Sequence, residues 1–87
     1  MKHIKLFYLA SCPFCKQAFS YIEELKEQER YKDIEIDLIE ESEEPEVADQ
    51  YDYYRVPTFY IDDEKLSEGI VTREKVEEIF QQALEAV

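Results

Sequence analysis

Residues Ile4-Lys5-Leu6-Phe7-Tyr8-Leu9-Ala10-Ser11-Cys12-Pro13-Phe14-Cys15-Lys16 decide how this chain is read. The run His3–Leu9 is almost continuously apolar, as expected of a central strand covered on both faces. Ala10-Ser11 is too short to be more than a connection. From Pro13 onward the period changes. Cys15, Ala18, Phe19, Ile22 and Leu25 recur at the i, i+3, i+4, i+7 spacing of an amphipathic helix. Pro13 suits the first helical position, where a missing N–H is no loss. Two cysteines two residues apart therefore sit where a strand turns into a helix.

Working outward, Asp33–Ile39 alternates, with Ile34, Ile36 and Leu38 on one face and Glu35 and Asp37 on the other, which reads as a half-exposed strand. Glu40–Glu44 is an acidic connector. Pro45 opens a second helix running to about Tyr53, with Val47, Tyr51 and Tyr54 on its apolar face and Tyr53 outside. Its first turn is crowded by Glu43, Glu44 and Glu46, where the helix dipole favours negative charge. Thr58–Ile61 is a strand, Asp62-Asp63-Glu64 a turn, and Lys65–Glu68 a short edge strand ended by Gly69. Thr72 is a good N-cap for a last helix with Val76, Ile79, Phe80, Ala83 and Leu84 buried. The order is β-α-β-α-β-β-α. Strands joined through a helix run parallel with a right-handed crossover, and the last two form a hairpin. This is an α/β protein: one four-stranded mixed sheet with helices on both faces.

At 87 residues the expectation is a single domain over 1–87. No apolar run reaches the roughly 20 residues that span a bilayer. Met1-Lys2-His3-Ile4-Lys5 lacks the apolar region and cleavage site of a signal peptide, so a cytoplasmic location is expected. The 10 basic and 22 acidic residues give a net charge of -12, which excludes nucleic acid and an anionic membrane as partners. The charge is uneven. Residues 1–22 carry Lys2, Lys5 and Lys16 and no acid, while residues 33–54 carry ten acids and no base. The neighbourhood of Cys12 is therefore expected to be basic.

Cys12 and Cys15 would close too small a loop to staple the fold. Chemistry explains the pair better. Cys12 falls at the helix cap, where the unpaired N–H groups of Phe14 and Cys15 and the helix dipole favour thiolate over thiol. Lys16 adds a positive charge. Cys15, one turn along, is expected to be less exposed. These positions make Cys12 the attacking and Cys15 the resolving thiol of a disulfide exchange. A zinc site needs about four ligands, and the single histidine, His3, lies at the other end of the first strand. No bound metal is expected.

These residues also resemble a known family. Cys12-Pro13-Phe14-Cys15, after a strand and opening a helix, resembles the glutaredoxin active site. Val56-Pro57-Thr58 resembles the loop that carries a cis-proline in thioredoxin-fold proteins, and the element order resembles the minimal thioredoxin fold over nearly the whole chain. Val56-Pro57-Thr58-Phe59 and Gly69-x-x-Thr72 are closer to thioredoxin, so the resemblance is to both branches. It implies a protein or glutathione disulfide oxidoreductase acting on disulfide-containing proteins. A reductase or glutathione would be its electron donor, and the protein would be a monomer. No resident cofactor is implied, with glutathione at most a co-substrate. Pro57 would face the cysteines, and the Val56 backbone would pair with an extended substrate. Pro13, Phe14 and Lys16 lie where substrate would meet the first helix, and Phe14 faces outward. Arg55 and the N-terminal end of the last helix at Thr72 are placed to receive a carboxylate. Glu68 is expected to repel an anionic tripeptide. The competing class is a dimeric iron–sulfur-cluster-binding glutaredoxin-like module without strong reductase activity.

Overall fold

The computed structural model describes residues 3–85. Met1, Lys2, Ala86 and Val87 lie outside them, and with them both ends of the domain expected over 1–87 and the Lys2 charge of the basic stretch. The elements are β1 (Ile4–Tyr8), α1 (Pro13–Lys26), β2 (Ile36–Glu40), α2 (Pro45–Ala48), β3 (Thr58–Ile61), β4 (Glu64–Glu68) and α3 (Arg73–Leu84). The sheet order is β2-β1-β3-β4, with β1 and β2 parallel and the other pairs antiparallel. This is the mixed sheet that the order of elements predicts.

Alternation along β1 separates two apolar layers. Ile4 and Leu6 point into the larger one, where Ala18, Ile22 and Leu25 of α1 meet Val76, Ile79, Phe80 and Ala83 of α3. Phe7 points to the other face, where Ile39, Ala48 and Tyr60 cluster with Val47, Tyr51, Tyr53 and Val56. Helices thus cover both faces, α1 and α3 on one and the short α2 on the other. α3 begins as expected, with the Thr72 hydroxyl accepting from the Lys75 N–H at 3.1 Å.

Expectations for β2, α2 and the end of α3 need correction. β2 starts at Ile36 rather than Asp33, because Tyr31 and Ile34 are in turns closed by bonds to the Gln28 and Tyr31 carbonyls. β2 is an edge strand, and Leu38 lines an open groove with Phe19, Ile22 and Glu23 of α1, so it is 49% exposed while Ile39, on the α2 side, is buried. Tyr31 itself is fully buried against Phe80 and donates to Glu77 at 3.0 Å, a core role the helical and strand patterns do not reveal.

α2 stops at Ala48, not near Tyr53. Glu44 gives it no side-chain cap, and Asp49 and Asp52 follow its C-terminal end, where the dipole disfavours anions. Tyr60 Oη then bonds the Asp52 carbonyl at 2.7 Å and Lys65 Nζ approaches it at 3.2 Å, fixing the chain in a non-helical course. A helical face no longer applies, so Tyr51 and Tyr53 turn inward onto Phe7, both at 4.9 Å between ring centroids. Tyr54, expected in the core, is 90% exposed.

At the end of α3, Leu84 is 41% exposed rather than buried. Phe80→Ala should therefore lower the unfolding free energy by about 3–5 kcal/mol. Leu84→Ala should cost about 1 kcal/mol or less. Urea denaturation followed by circular dichroism separates the two.

Candidate dithiol site

The turn from β1 into α1 is closed by main-chain bonds. The Cys12 N–H donates to the Leu9 carbonyl at 3.1 Å, and the Cys12 carbonyl accepts from the Lys16 N–H at 3.1 Å, beginning the helix. Cys12 is extended at φ -83, ψ 119 and occupies the N-cap, with Pro13 at the start of the helix. Its sulfur accepts from the Cys15 N–H at 3.3 Å. A cysteine here does what serine or aspartate does at other caps, with sulfur in place of oxygen.

Both cysteines are free, Cys12 partly exposed and Cys15 buried. Burial by itself pushes the Cys12 thiol up. The Cys15 thiol and the N–H groups of Cys15 and Phe14 donate to it, outweigh that effect and hold it below its ordinary value. Cys15 is pushed up to about 12, first by burial, then by the neighbouring Cys12 sulfur and the charge of Glu41. The two thiols are thus driven in opposite directions.

The expected basic neighbourhood is corrected here. Parallel pairing sets Tyr8 opposite Glu40, and the Glu41 N–H donates to the Tyr8 carbonyl at 3.0 Å. The acids at the end of β2 therefore reach the cysteine end of β1. Glu40 Oε2 lies 3.4 Å from the Ala10 N–H. Lys16 is exposed and makes no ion pair among the described residues.

From the opposite side comes the Val56-Pro57 loop. Its peptide bond is cis, as the resemblance implies. Pro57 is buried and its carbonyl accepts from the Gly69 N–H at 2.9 Å. The Val56 carbonyl lies 3.9 Å from the Cys12 sulfur. Val56 exchanges no hydrogen bond with another main-chain group among the described residues, and its carbonyl accepts from the Cys12 thiol, so this edge is open to a chain that takes the place of that contact. Beside it, Phe14, Arg55, Val56, Gly69 and Ile70 line a groove of about 370 Å³. Gly69 has φ +87, a left-handed conformation that favours glycine.

The residues singled out in the sequence divide accordingly. Phe14, Arg55 and Val56 come together around the groove. Pro13 and Lys16 are exposed on the first turn of α1. Thr72 is not among the groove's lining residues, and its hydroxyl is engaged in capping α3.

Glu68 does not stand free to repel an anion. Its Oε2 accepts from the N–H groups of Tyr54 at 2.5 Å and Arg55 at 3.0 Å, and its Oε1 from Lys65 Nζ at 2.7 Å. The Lys65 hydrogen bond comes first among the causes that hold its carboxyl below the ordinary value. The role is visible only once the hairpin register, Thr58 opposite Glu68, is known. Tyr53 was also missed. Its hydroxyl is buried without a partner among the described residues, and burial, with Glu41 and Asp49 nearby, pushes the phenol up to about 12.

A strand–helix junction bearing a free cysteine pair, faced by a cis-proline loop on a β2-β1-β3-β4 sheet, defines a thioredoxin-fold dithiol domain. A family model for the thioredoxin domain matches residues 2–81, and the chain belongs to that family. Its fold is similar to that of a mutant thioredoxin from Halobacterium salinarum NRC-1, with TM-score 0.71 and 25% identity over 98% of this chain and 76% of that one. It is similar to mitochondrial thioredoxin 3 from Saccharomyces cerevisiae in its oxidized form, with TM-score 0.70 and 21% identity over 93% and 77% of the two chains. It is also similar to thioredoxin 1 from Thermosipho africanus TCF52B, with TM-score 0.62 and 20% identity over 95% and 99%. No curated protein matches the chain by sequence.

Thiolate is the reactive form of a cysteine, so a lowered value keeps Cys12 reactive to lower pH. Iodoacetamide should modify Cys12 at lower pH than free cysteine in the same buffer, and leave Cys15 unmodified throughout the neutral range. Cys15→Ala removes one donor and should move the Cys12 profile to higher pH. Peptide mass spectrometry of timed samples reads both sites.

Proposed function

We propose that the protein is a thiol–disulfide oxidoreductase that reduces disulfide-containing proteins through Cys12 and Cys15. The observation that carries this reading is the placement of two free thiols, Cys12 at the helix cap accepting from the Cys15 N–H and Cys15 buried beneath it. Cys12 thiolate attacks one sulfur of the substrate disulfide. A mixed disulfide forms, and the departing substrate sulfur takes up a proton. Cys15 then loses its proton and attacks the Cys12 sulfur, releasing the second substrate thiol. Two electrons pass to the substrate, which ends as two thiols, and the protein ends with a Cys12–Cys15 disulfide. An external dithiol, a reductase or glutathione must return the electrons.

The elevated Cys15 value suits this order. Cys15 stays a neutral donor to Cys12 during the first step, stabilising the thiolate. Once Cys12 is bound in a mixed disulfide, its negative charge is gone, and with it one cause of the elevation. The open Val56 edge and the groove beside it are the natural place for the substrate chain. Pro13, Phe14, Lys16, Arg55 and Pro57 are assigned to that contact, and Thr72 to a carboxylate at the start of α3. The reading is of a monomer working in the cytoplasm without a resident cofactor.

Insulin reduction with dithiothreitol as donor tests the assignment. Cys12→Ser should bring the rate to the uncatalysed background, and full activity in that variant would refute the reading. Cys15→Ser should instead accumulate a mixed disulfide, visible on a non-reducing gel. Glutathione with glutathione reductase, compared with thioredoxin reductase, identifies the donor by which of them sustains turnover.

A further inference from the structure

Arg55, like Lys5, Lys16 and Lys26, makes no ion pair among the described residues, but of these four it alone lines the groove beside Val56. Arg30, Lys32, Lys65, Arg73 and Lys75 each pair with a carboxylate. Arg55 makes no ion pair among the described residues, although the chain carries 22 acids. Glu68 is in contact with the Arg55 main chain, but its oxygens are already engaged by Lys65 and by the two N–H groups.

The main chain of Arg55 is held at both ends. Its N–H donates to Glu68, and its carbonyl accepts from the Thr58 hydroxyl. The stem lies over Gly69, with Cδ 3.6 Å and Cβ 3.9 Å from where a side chain at that position would begin. Arg55 therefore lines one wall of the groove shared with Phe14, Val56 and Ile70. Phe14 is 47% and Ile70 66% exposed, so the groove also offers apolar surface. The Val56 carbonyl, next to the Cys12 sulfur, offers a main-chain edge.

These features specify a ligand. An apolar segment alone would strip water from an unpaired guanidinium, which is costly. A carboxylate matches the planar donor fork with two parallel hydrogen bonds. An extended chain can pair with Val56 while its side chains reach the two walls. We propose that Arg55 is a specificity-determining residue, selecting protein disulfides whose cysteine lies in an extended apolar segment with an acidic side chain close by. This rests on the thiol–disulfide exchange proposed for Cys12. The selection is local: it concerns one carboxylate beside the cysteine, while the whole protein, at -12, favours no acidic partner at long range.

The test uses disulfide-linked peptides with an apolar flank and a single Glu, Gln or Lys, scanned through the two positions on either side of the cysteine. At the best position wild-type kcat/KM should be about tenfold higher for Glu than for Gln, the scale of a charge-assisted hydrogen bond, and lowest for Lys. The Glu-to-Gln ratio should fall to about one in Arg55→Gln and stay partly elevated in Arg55→Lys. In Arg55→Glu the order should reverse in favour of Lys. Because each comparison is a ratio within one protein, a general loss of activity cannot imitate it. Equal rates for the three peptides in the wild type, or an unchanged ratio in Arg55→Gln, would overturn the proposal. So would a preference for glutathione-capped peptides whatever the flanking residue, lost in Arg55→Gln, since the tripeptide would then be the occupant. Wild-type reduction of 2-hydroxyethyl disulfide separates the two levels. If it is present without peptide selection, only the role of Arg55 fails. If no disulfide is reduced, the dithiol reading fails and the selection falls with it.

Discussion

One contact, the Cys15 N–H donating to the Cys12 sulfur at 3.3 Å, ties the fold to its chemistry. As a cap it satisfies one of the donors that every helix leaves unpaired at its start. The same N–H also stabilises negative charge on the sulfur. Pro13 removes one donor from the same turn without cost. The contact needs Cys12 extended and Cys15 helical, and the burial of Cys15 with Ala18, Ile22 and Leu25 along α1 sets the second condition. The first follows from the turn held by the Leu9 carbonyl at the end of a central strand whose Ile4, Leu6 and Phe7 are fully buried. A thiolate-favouring site thus results from ordinary helix initiation and core packing.

The two thiols have opposite tendencies because the sheet brings other groups to them unequally. Cys12 is partly exposed and surrounded by donors, so anion stabilisation exceeds the desolvation cost. Cys15 is buried, next to that developing anion, and feels Glu41. The carboxylate is 26 residues away in sequence, which is why the linear charge pattern suggests a basic setting. Parallel pairing of β1 with β2 removes that separation, since both strands deliver their C-terminal ends to the same rim of the sheet. Charge segregation along a chain is a poor guide to charge around an atom whenever strands of the two segments are neighbours.

What the sequence makes legible here is whatever is decided within a few residues. The continuous apolar run of β1, the change of period after Pro13, the Cys12 cap and the Thr72 cap are all local, and all are found where the residues place them. The errors arise where a distant partner decides. α2 ends early partly because Tyr60 and Lys65 hold the Asp52 carbonyl, and with that the inward and outward roles of Tyr53 and Tyr54 are exchanged. Leu38 has the apolar character of a core residue but lies on an edge strand, in an open groove beside α1. Tyr31 belongs to no periodic segment, and its burial depends on Phe80 and Glu77, both on α3.

Glu68 shows how an acid can shape a site without acting as an anion toward the ligand. Read from sequence, it is a negative charge next to Gly69, which lines the groove. In the fold, it is a bridge between β4 and the loop that precedes Pro57, receiving two N–H groups and one ammonium. Those N–H groups belong to an exposed loop segment that lacks a strand partner. The carboxylate satisfies them where no backbone carbonyl is in place. Lys65 in turn balances the carboxylate, so the cluster presents little negative charge outward. Arg55, whose N–H is part of this staple, keeps its guanidinium unpaired. In a protein of charge -12 an unpaired cation on the wall of the groove requires that nearby acids be occupied elsewhere. Glu68 meets that condition through the same hydrogen bonds that hold the cis-proline loop facing Cys12. Loop position and local charge are therefore set together, and a change at Glu68 would alter both.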